Sequence, residues 1–140
     1  MSGVVAVDTS VAVPLLVASH PLNDRVLEWA RDKELHLCGH ALVETYSVLT
    51  RLPGTARVAP GEAVRLIDEN FAEALTLPAE TAQTVHRTLA GRGVWGGAAW
   101  DGLVALTALA HHAVLATRDA RALATYDALG VGTVVLRDAA

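Results

Sequence analysis

Five short apolar runs, separated by segments of helical periodicity, limit the folds open to this chain. The first, Val4-Val5-Ala6-Val7, is rich in β-branched residues and stops abruptly at Asp8-Thr9-Ser10. A run of that length and composition reads as a buried strand. The others fall at residues 35–38, 74–77, 113–117 and 133–136. Between them, helices are expected over 11–17 with Thr9 or Ser10 as cap, 23–31, 40–52, 60–71, 78–90, 98–112 and 119–129. Pro53-Gly54 and Gly130 supply two of the stop signals. Strands alternating with helices predict an α/β class with a mainly parallel, five-stranded sheet. Ligands of such sheets bind outside the carboxyl ends of the strands. Asp8 stands at such an end.

The 140 residues suit one domain, 1–140, with room for a real core. Hydrophobic residues make up 52% and charged residues 19%, which excludes a disordered chain. No apolar run approaches the roughly 18 residues of a membrane span, and no secretory signal is expected. Cys38 is the single cysteine, so no internal disulfide can form and a reducing, cytoplasmic setting is expected. The net charge of −4 argues at first against a nucleic-acid partner. Four particular carboxylates account for that excess, since the other 11 acidic residues balance the 11 basic ones. Ten of those basic residues are arginine, the better bidentate phosphate ligand, although a GC-rich genome produces the same bias.

Asp8 is the first of the four. Asp119 follows the fourth expected strand in Thr117-Arg118-Asp119, where it equally suits the N-cap of the next helix. Asp101, in Trp100-Asp101-Gly102-Leu103, opens an apolar helix, where a carboxylate also complements the helix dipole. Glu44 interrupts a face otherwise formed by Leu37, Ala41 and Val48, and a buried glutamate needs a partner or a metal. If the first and fourth strands are neighbours, Asp8 and Asp119 meet at the switch point of the sheet. Carboxylates gathered at one edge repel each other unless cations neutralise them. An oxygen-only set of this kind suits Mg²⁺ or Mn²⁺, which activate water and stabilise charge on a phosphodiester.

In order and spacing these stretches resemble the PIN-domain ribonucleases, in particular the VapC-type toxins of bacterial toxin–antitoxin pairs. The matching segments are Val7-Asp8-Thr9-Ser10, residues 44–53 from Glu44 to Pro53, Trp100-Asp101-Gly102-Leu103-Val104-Ala105, and Leu115-Ala116-Thr117-Arg118-Asp119 with Tyr126 and Leu129-Gly130-Val131 behind it. The resemblance implies a three-layer α/β/α sandwich in which Asp8, Glu44, Asp101 and Asp119 are catalytic and hold Mg²⁺ or Mn²⁺. It further implies hydrolysis of RNA to 5′-phosphate and 3′-hydroxyl ends, inhibition by a cognate antitoxin, and a homodimer. Helices 22–31 and 40–52 offer apolar surface for dimerisation. Trp100 stands where the family often has tyrosine, and Arg118 separates Thr117 from Asp119. The alternative is a catalytically silent PIN domain that binds protein or RNA, against which the retention of all four acids argues.

Other signals carry less. Gly91-Arg92-Gly93-Val94-Trp95-Gly96 matches G-x-G-x-x-G but follows a helix, whereas the dinucleotide fingerprint follows a strand. Trp95 is open to two roles, core packing or stacking on an unpaired base. An aspartyl phosphotransferase of D-x-D-x-T type would need an acid where Ser10 stands. A receiver domain would need a lysine near the last strand, and Lys33 is the only lysine. The histidines show no zinc spacing. Thr9, Ser10 and Thr117 suit either a turn or a supporting role at the acids. Arg51, Arg92, Arg118 and Arg121 are candidate phosphate contacts.

Overall fold

A computed structural model of the chain describes residues 3–137. Strand β1 (Val4–Val7) lies inside the sheet between β2 (Leu35–Leu37) and β3 (Ala113–Thr117), and β4 (Thr133–Val135) pairs with the outer edge of β3. All three pairings are parallel, with Val7 opposite both Leu37 and Ala116. The helices are α1 (Thr9–Leu16), α2 (Asn23–Ala30), α3 (His40–Thr50), α4 (Pro60–Asn70), α5 (Ala79–Gln83), α6 (Val85–Gly91), α7 (Ala98–Ala110) and α8 (Leu123–Leu129). They flank the parallel sheet in an α/β/α arrangement, as parallel sheets require because both faces must be covered.

The sheet has four strands among the described residues, not the five expected. Residues 74–77 contribute only an isolated parallel bridge between Leu75 and Cys38. The cause is Gly39, whose φ of +57° turns the chain away immediately after Cys38. Leu75 therefore donates to Leu37 O and accepts from Gly39 N, and the ladder goes no further. The helix expected over 78–90 is also divided, since Thr84 leaves helical geometry between α5 and α6. The last helix begins at Leu123 and not near residue 119, and it ends at Gly130 in the left-handed conformation.

Burial explains the central elements. Ala6 and Val7 of β1 and Leu115 and Ala116 of β3 are fully enclosed, as are Val11 and Ala12 of α1. Pro14 sits inside α1. Lacking an N–H, it leaves the Ser10 carbonyl one turn earlier without its helical donor. Arg118 Nη1 donates to that carbonyl at 3.2 Å. Asn23 Nδ2 donates to the Pro14 and Leu15 carbonyls at the end of the same helix, at 2.9 and 3.2 Å. Cys38 is buried and its thiol is pushed up to about 12 by desolvation and by the Asp8 charge. It packs as a small hydrophobe.

Gly39 also sets how closely α3 meets α7. A Cβ there would lie 2.8 Å from Thr107 Oγ1 and 3.2 Å from the Leu103 carbonyl. Gly39→Ala is expected to cost about 1–3 kcal/mol, from backbone strain and from this close approach. Urea unfolding measures it, and an unchanged midpoint would contradict the proposed constraint.

Candidate active site

Because β1 and β3 are paired, the residues that follow them emerge side by side. Asp8 N donates to Ala116 O at 3.3 Å, which places Asp8 against Thr117. The chain leaves β1 for β2 on one side and reaches β3 on the other, so this point is the topological switch of the sheet. The expected adjacency of the first and fourth apolar runs is observed in the pairing of Val4–Val7 with Ala113–Thr117.

Asp8 is 6% exposed and is itself the N-cap of α1, the role expected of Thr9 or Ser10. Its Oδ1 accepts from Ser10 N at 3.0 Å and from Ser10 Oγ at 2.6 Å. Its Oδ2 accepts from Thr117 Oγ1 at 2.5 Å and from the Tyr126 hydroxyl at 2.7 Å. A carboxylate has about four acceptor sites, and all four are used. Burial raises the Asp8 pKa, and the donated hydrogen bonds from Ser10, Thr117 and Tyr126 oppose that rise. The carboxylate likewise pushes the Tyr126 hydroxyl pKa upward, after the larger effect of burial. Tyr126 therefore stays a proton donor to Asp8.

Two further bonds extend this core. Ser10 Oγ accepts from Arg118 N at 2.7 Å, and Thr117 Oγ1 accepts from Asp119 N at 3.0 Å. The hydroxyls that hold Asp8 thus also fix the backbone carrying Asp119. Asp119 does not cap a helix as sequence suggested. Its Oδ1 accepts from Arg121 N at 3.0 Å, closing a turn that runs into α8 two residues beyond.

Glu44 corrects a second expectation. The buried face of α3 is Ala41, Thr45 and Leu49, so Glu44 lies about 100° around the helix from it and is exposed. Its Oε1 accepts from Thr9 Oγ1 at 2.7 Å, which holds it toward the start of α1. Asp101, in the first turn of α7, is half-buried. Its pKa is raised, first by burial and then by the charges of Asp119, Asp8 and Glu44, with His40 opposing. All three other acids act on Asp101, so the four share one electrostatic neighbourhood.

Among the described residues, no three His, Cys, Asp or Glu side chains converge into a ready-made metal cage. The residues nonetheless fit a hard divalent cation in donor type and charge. They are oxygen ligands only, and the repulsion felt at Asp101 is what a cation relieves. Asp101, Asp119 and Glu44 have acceptor capacity to spare, while Asp8 would exchange one of its four donors.

Of the remaining sequence candidates, Arg118 and Arg121 lie at the acids and the others disperse. Trp95 is 82% exposed and does not pack in the core. Arg92 donates to Ala128 O and Arg51 to Ser47 Oγ, whereas Arg121, with its side chain 97% exposed, brings Nε to 3.9 Å from Asp119 Oδ1. His36 bonds Glu73 O, whereas His40 stacks on Trp100, so the two do not form a ligand pair. Tyr126 entered the sequence reading only as part of an ordered match. Its role at Asp8, 118 positions away, depends on β3 and α8 folding back over β1.

Removing the Tyr126 hydroxyl takes one donor from a buried charge. Tyr126→Phe should destabilise the protein by about 1.5–3 kcal/mol in urea unfolding, and a loss below about 0.5 kcal/mol would contradict the bond's importance. The raised pKa values of Asp8 and Asp101 mean that each carboxyl binds a proton more readily folded than unfolded. Their contribution to stability is fully present below the usual 3.8 and is lost as pH rises through the raised folded values. Metal-free Asp101→Asn should therefore melt above the parent at neutral pH, with the gap closing on acidification. A gap that stays constant with pH would contradict the electrostatic account.

Comparison with known proteins gives the family and the fold. The PIN domain family profile matches residues 5–129. Ribonuclease VapC27 of Mycobacterium tuberculosis is 55% identical over 130 residues, covering 93% of this chain and 95% of its own. Ribonuclease VapC40 of the same species is 42% identical over 128 residues, covering 91% and 95%. Among solved structures, FitAB bound to an IR36 DNA fragment superposes with a TM-score of 0.65 at 20% identity, covering 94% of each chain. VapBC2 from Rickettsia felis, bound to a DNA fragment from its promoter, gives 0.62 at 14%, covering 94% and 98%. At those identities the structural likeness is one of fold. The family match, the close sequence relatives and the shared fold together make this chain a member of the PIN-domain family.

Proposed function

We propose that the chain is an endoribonuclease toxin that hydrolyses RNA phosphodiesters with Mg²⁺ or Mn²⁺ and is neutralised by a cognate antitoxin. The observation that carries the reading is that Asp8 and Asp119 follow paired strands and share the Thr117 hydroxyl, with Glu44 tied to the start of α1 by Thr9; the field of these three acids at Asp101 supports it. The 55% identity to a ribonuclease across nearly the whole of both chains supports it. The same fold occurs in FitAB and VapBC2, each named as a pair of components, which supports a protein partner.

In this reading the four carboxylates hold the cation. When bound, a divalent ion lowers the pKa of its water and stabilises charge developing on the phosphodiester. The chain's own part is positioning. Ser10, Thr117 and Tyr126 fix Asp8, the Arg121 amide fixes Asp119, and Thr9 holds Glu44. Asp101 sits in the first turn of α7, where the helix dipole favours its ionised form. The acids on their own repel phosphate, so the site would receive RNA only with their charge neutralised by a bound cation. A homodimer and a cytoplasmic setting complete the proposal. Leu27 on α2 and Val43 and Tyr46 on α3 are exposed apolar residues on the two segments proposed for dimer contact.

Purified protein should cut single-stranded or structured RNA in Mg²⁺ or Mn²⁺ and be silent in EDTA. Asp8→Asn should lose more activity than the ~100-fold typical of removing an outer-shell partner. Because its amide nitrogen cannot accept the bonds made to Asp8, it should melt below the parent yet remain folded at the assay temperature. Full activity in Asp8→Asn would place the chemistry elsewhere. No cleavage of any RNA with either metal would leave a protein- or RNA-binding module instead.

A further inference from the structure

Two aromatic rings meet beside the acids. The His40 and Trp100 rings stack with centroids 4.7 Å apart and planes inclined by 27°. Each ring belongs to an element that carries an acid. Trp100 immediately precedes Asp101 in the first turn of α7, and His40 opens α3 one turn before Glu44. Residues four apart share a helix face, so His40 and Glu44 lie on the same side of α3. The stack therefore spans the gap between the helices that bear Glu44 and Asp101.

Trp100 is nevertheless 58% exposed. A large indole left that open gives up apolar burial that the core would have supplied. The imidazole stacks on the ring, and with 58% of the residue exposed much of the indole is open to solvent next to Asp101. Trp95, the other strongly exposed indole, lines a surface hollow with Ala124, Thr125 and Ala128 on the α8 side.

We propose that the His40–Trp100 stack is a base-binding subsite, on which one unpaired nucleobase of single-stranded RNA stacks beside the phosphodiester to be cut. The inference rests on the ribonuclease reading above. Every base has a π-face, so a single indole platform selects unpaired over paired nucleotides more than it selects one base over another. A neutral aromatic contact also suits an acidic site, where basic side chains would be drawn onto the carboxylates. His40 acts as a positioning residue that holds the indole, and Trp100 makes the contact.

The test uses the full chain with Trp29→Phe and Trp95→Phe, which leaves Trp100 as the only tryptophan. A fluorescein-labelled, mixed-sequence single-stranded oligoribonucleotide is titrated in EDTA and in Mg²⁺, with label anisotropy and indole emission read together. Binding should quench Trp100, and one abasic substitution should remove the quench while most binding remains. Duplex RNA should not quench. In the otherwise native chain, Trp100→Ala should raise KM roughly tenfold with a smaller change in kcat, and Trp100→Phe should recover most of it. RNA that binds without quenching overturns the proposal, as does an unchanged KM or no RNA binding in either buffer. Quenching by a purified antitoxin but not by RNA also overturns it and assigns the stack to a protein contact. Quenching without cleavage would sink the ribonuclease reading and keep the stack. Cleavage without quenching would do the reverse.

Discussion

The hydrogen-bonded burial of Asp8 is the interaction on which the site depends. Its two oxygens gather donors from α1, from the end of β3 and from α8. A charge that is 6% exposed is tolerable only because every acceptor site is filled. The same hydroxyls then accept from the amides of Arg118 and Asp119, so the loop after β3 is held by what holds Asp8. Loss of the Ser10 or Thr117 hydroxyl would weaken the fold and misplace a second acid together. Stability and site geometry are one network here.

Around this rigid centre the other acids are held less tightly. Glu44 has a single hydroxyl donor, and Asp119 is held by a turn amide. Asp101 bears the unfavourable field of all three. The repulsion at Asp101 is what a divalent ion held by these acids, as proposed, would relieve. The formal charge of −4 is therefore no argument against RNA, because the surplus equals the four acids that would hold a cation in the proposed function.

The parts of this account legible in sequence were those set by local chemistry. Val4–Val7 and Ala113–Thr117 are strands because β-branched and small apolar residues fit a sheet buried on both faces, and Asp8 and Asp119 follow at their ends. Features set by tertiary geometry were not legible. Residues 74–77 have a strand's composition, but Gly39 takes the partner backbone away after Cys38. Glu44 was placed on a buried face by periodicity, yet the core side of α3 lies about 100° away at Ala41, Thr45 and Leu49. Tyr126 has the pattern of an ordinary core aromatic, and only the folded chain brings its hydroxyl to Asp8. The stack of His40 on Trp100 joins residues 60 positions apart and leaves no periodic trace.

The central claim is that these four acids form one cation site whose mutual repulsion the ion relieves. Thermal unfolding with and without Mn²⁺ tests it most directly, comparing the parent with Asp101→Asn. A ligand at a hundredfold its dissociation constant stabilises the state that binds it by about 2.7 kcal/mol. The parent should show a shift of that order, and Asp101→Asn should lose most of it although it melts higher without metal. Equal shifts in both proteins, or none in either, would contradict the account.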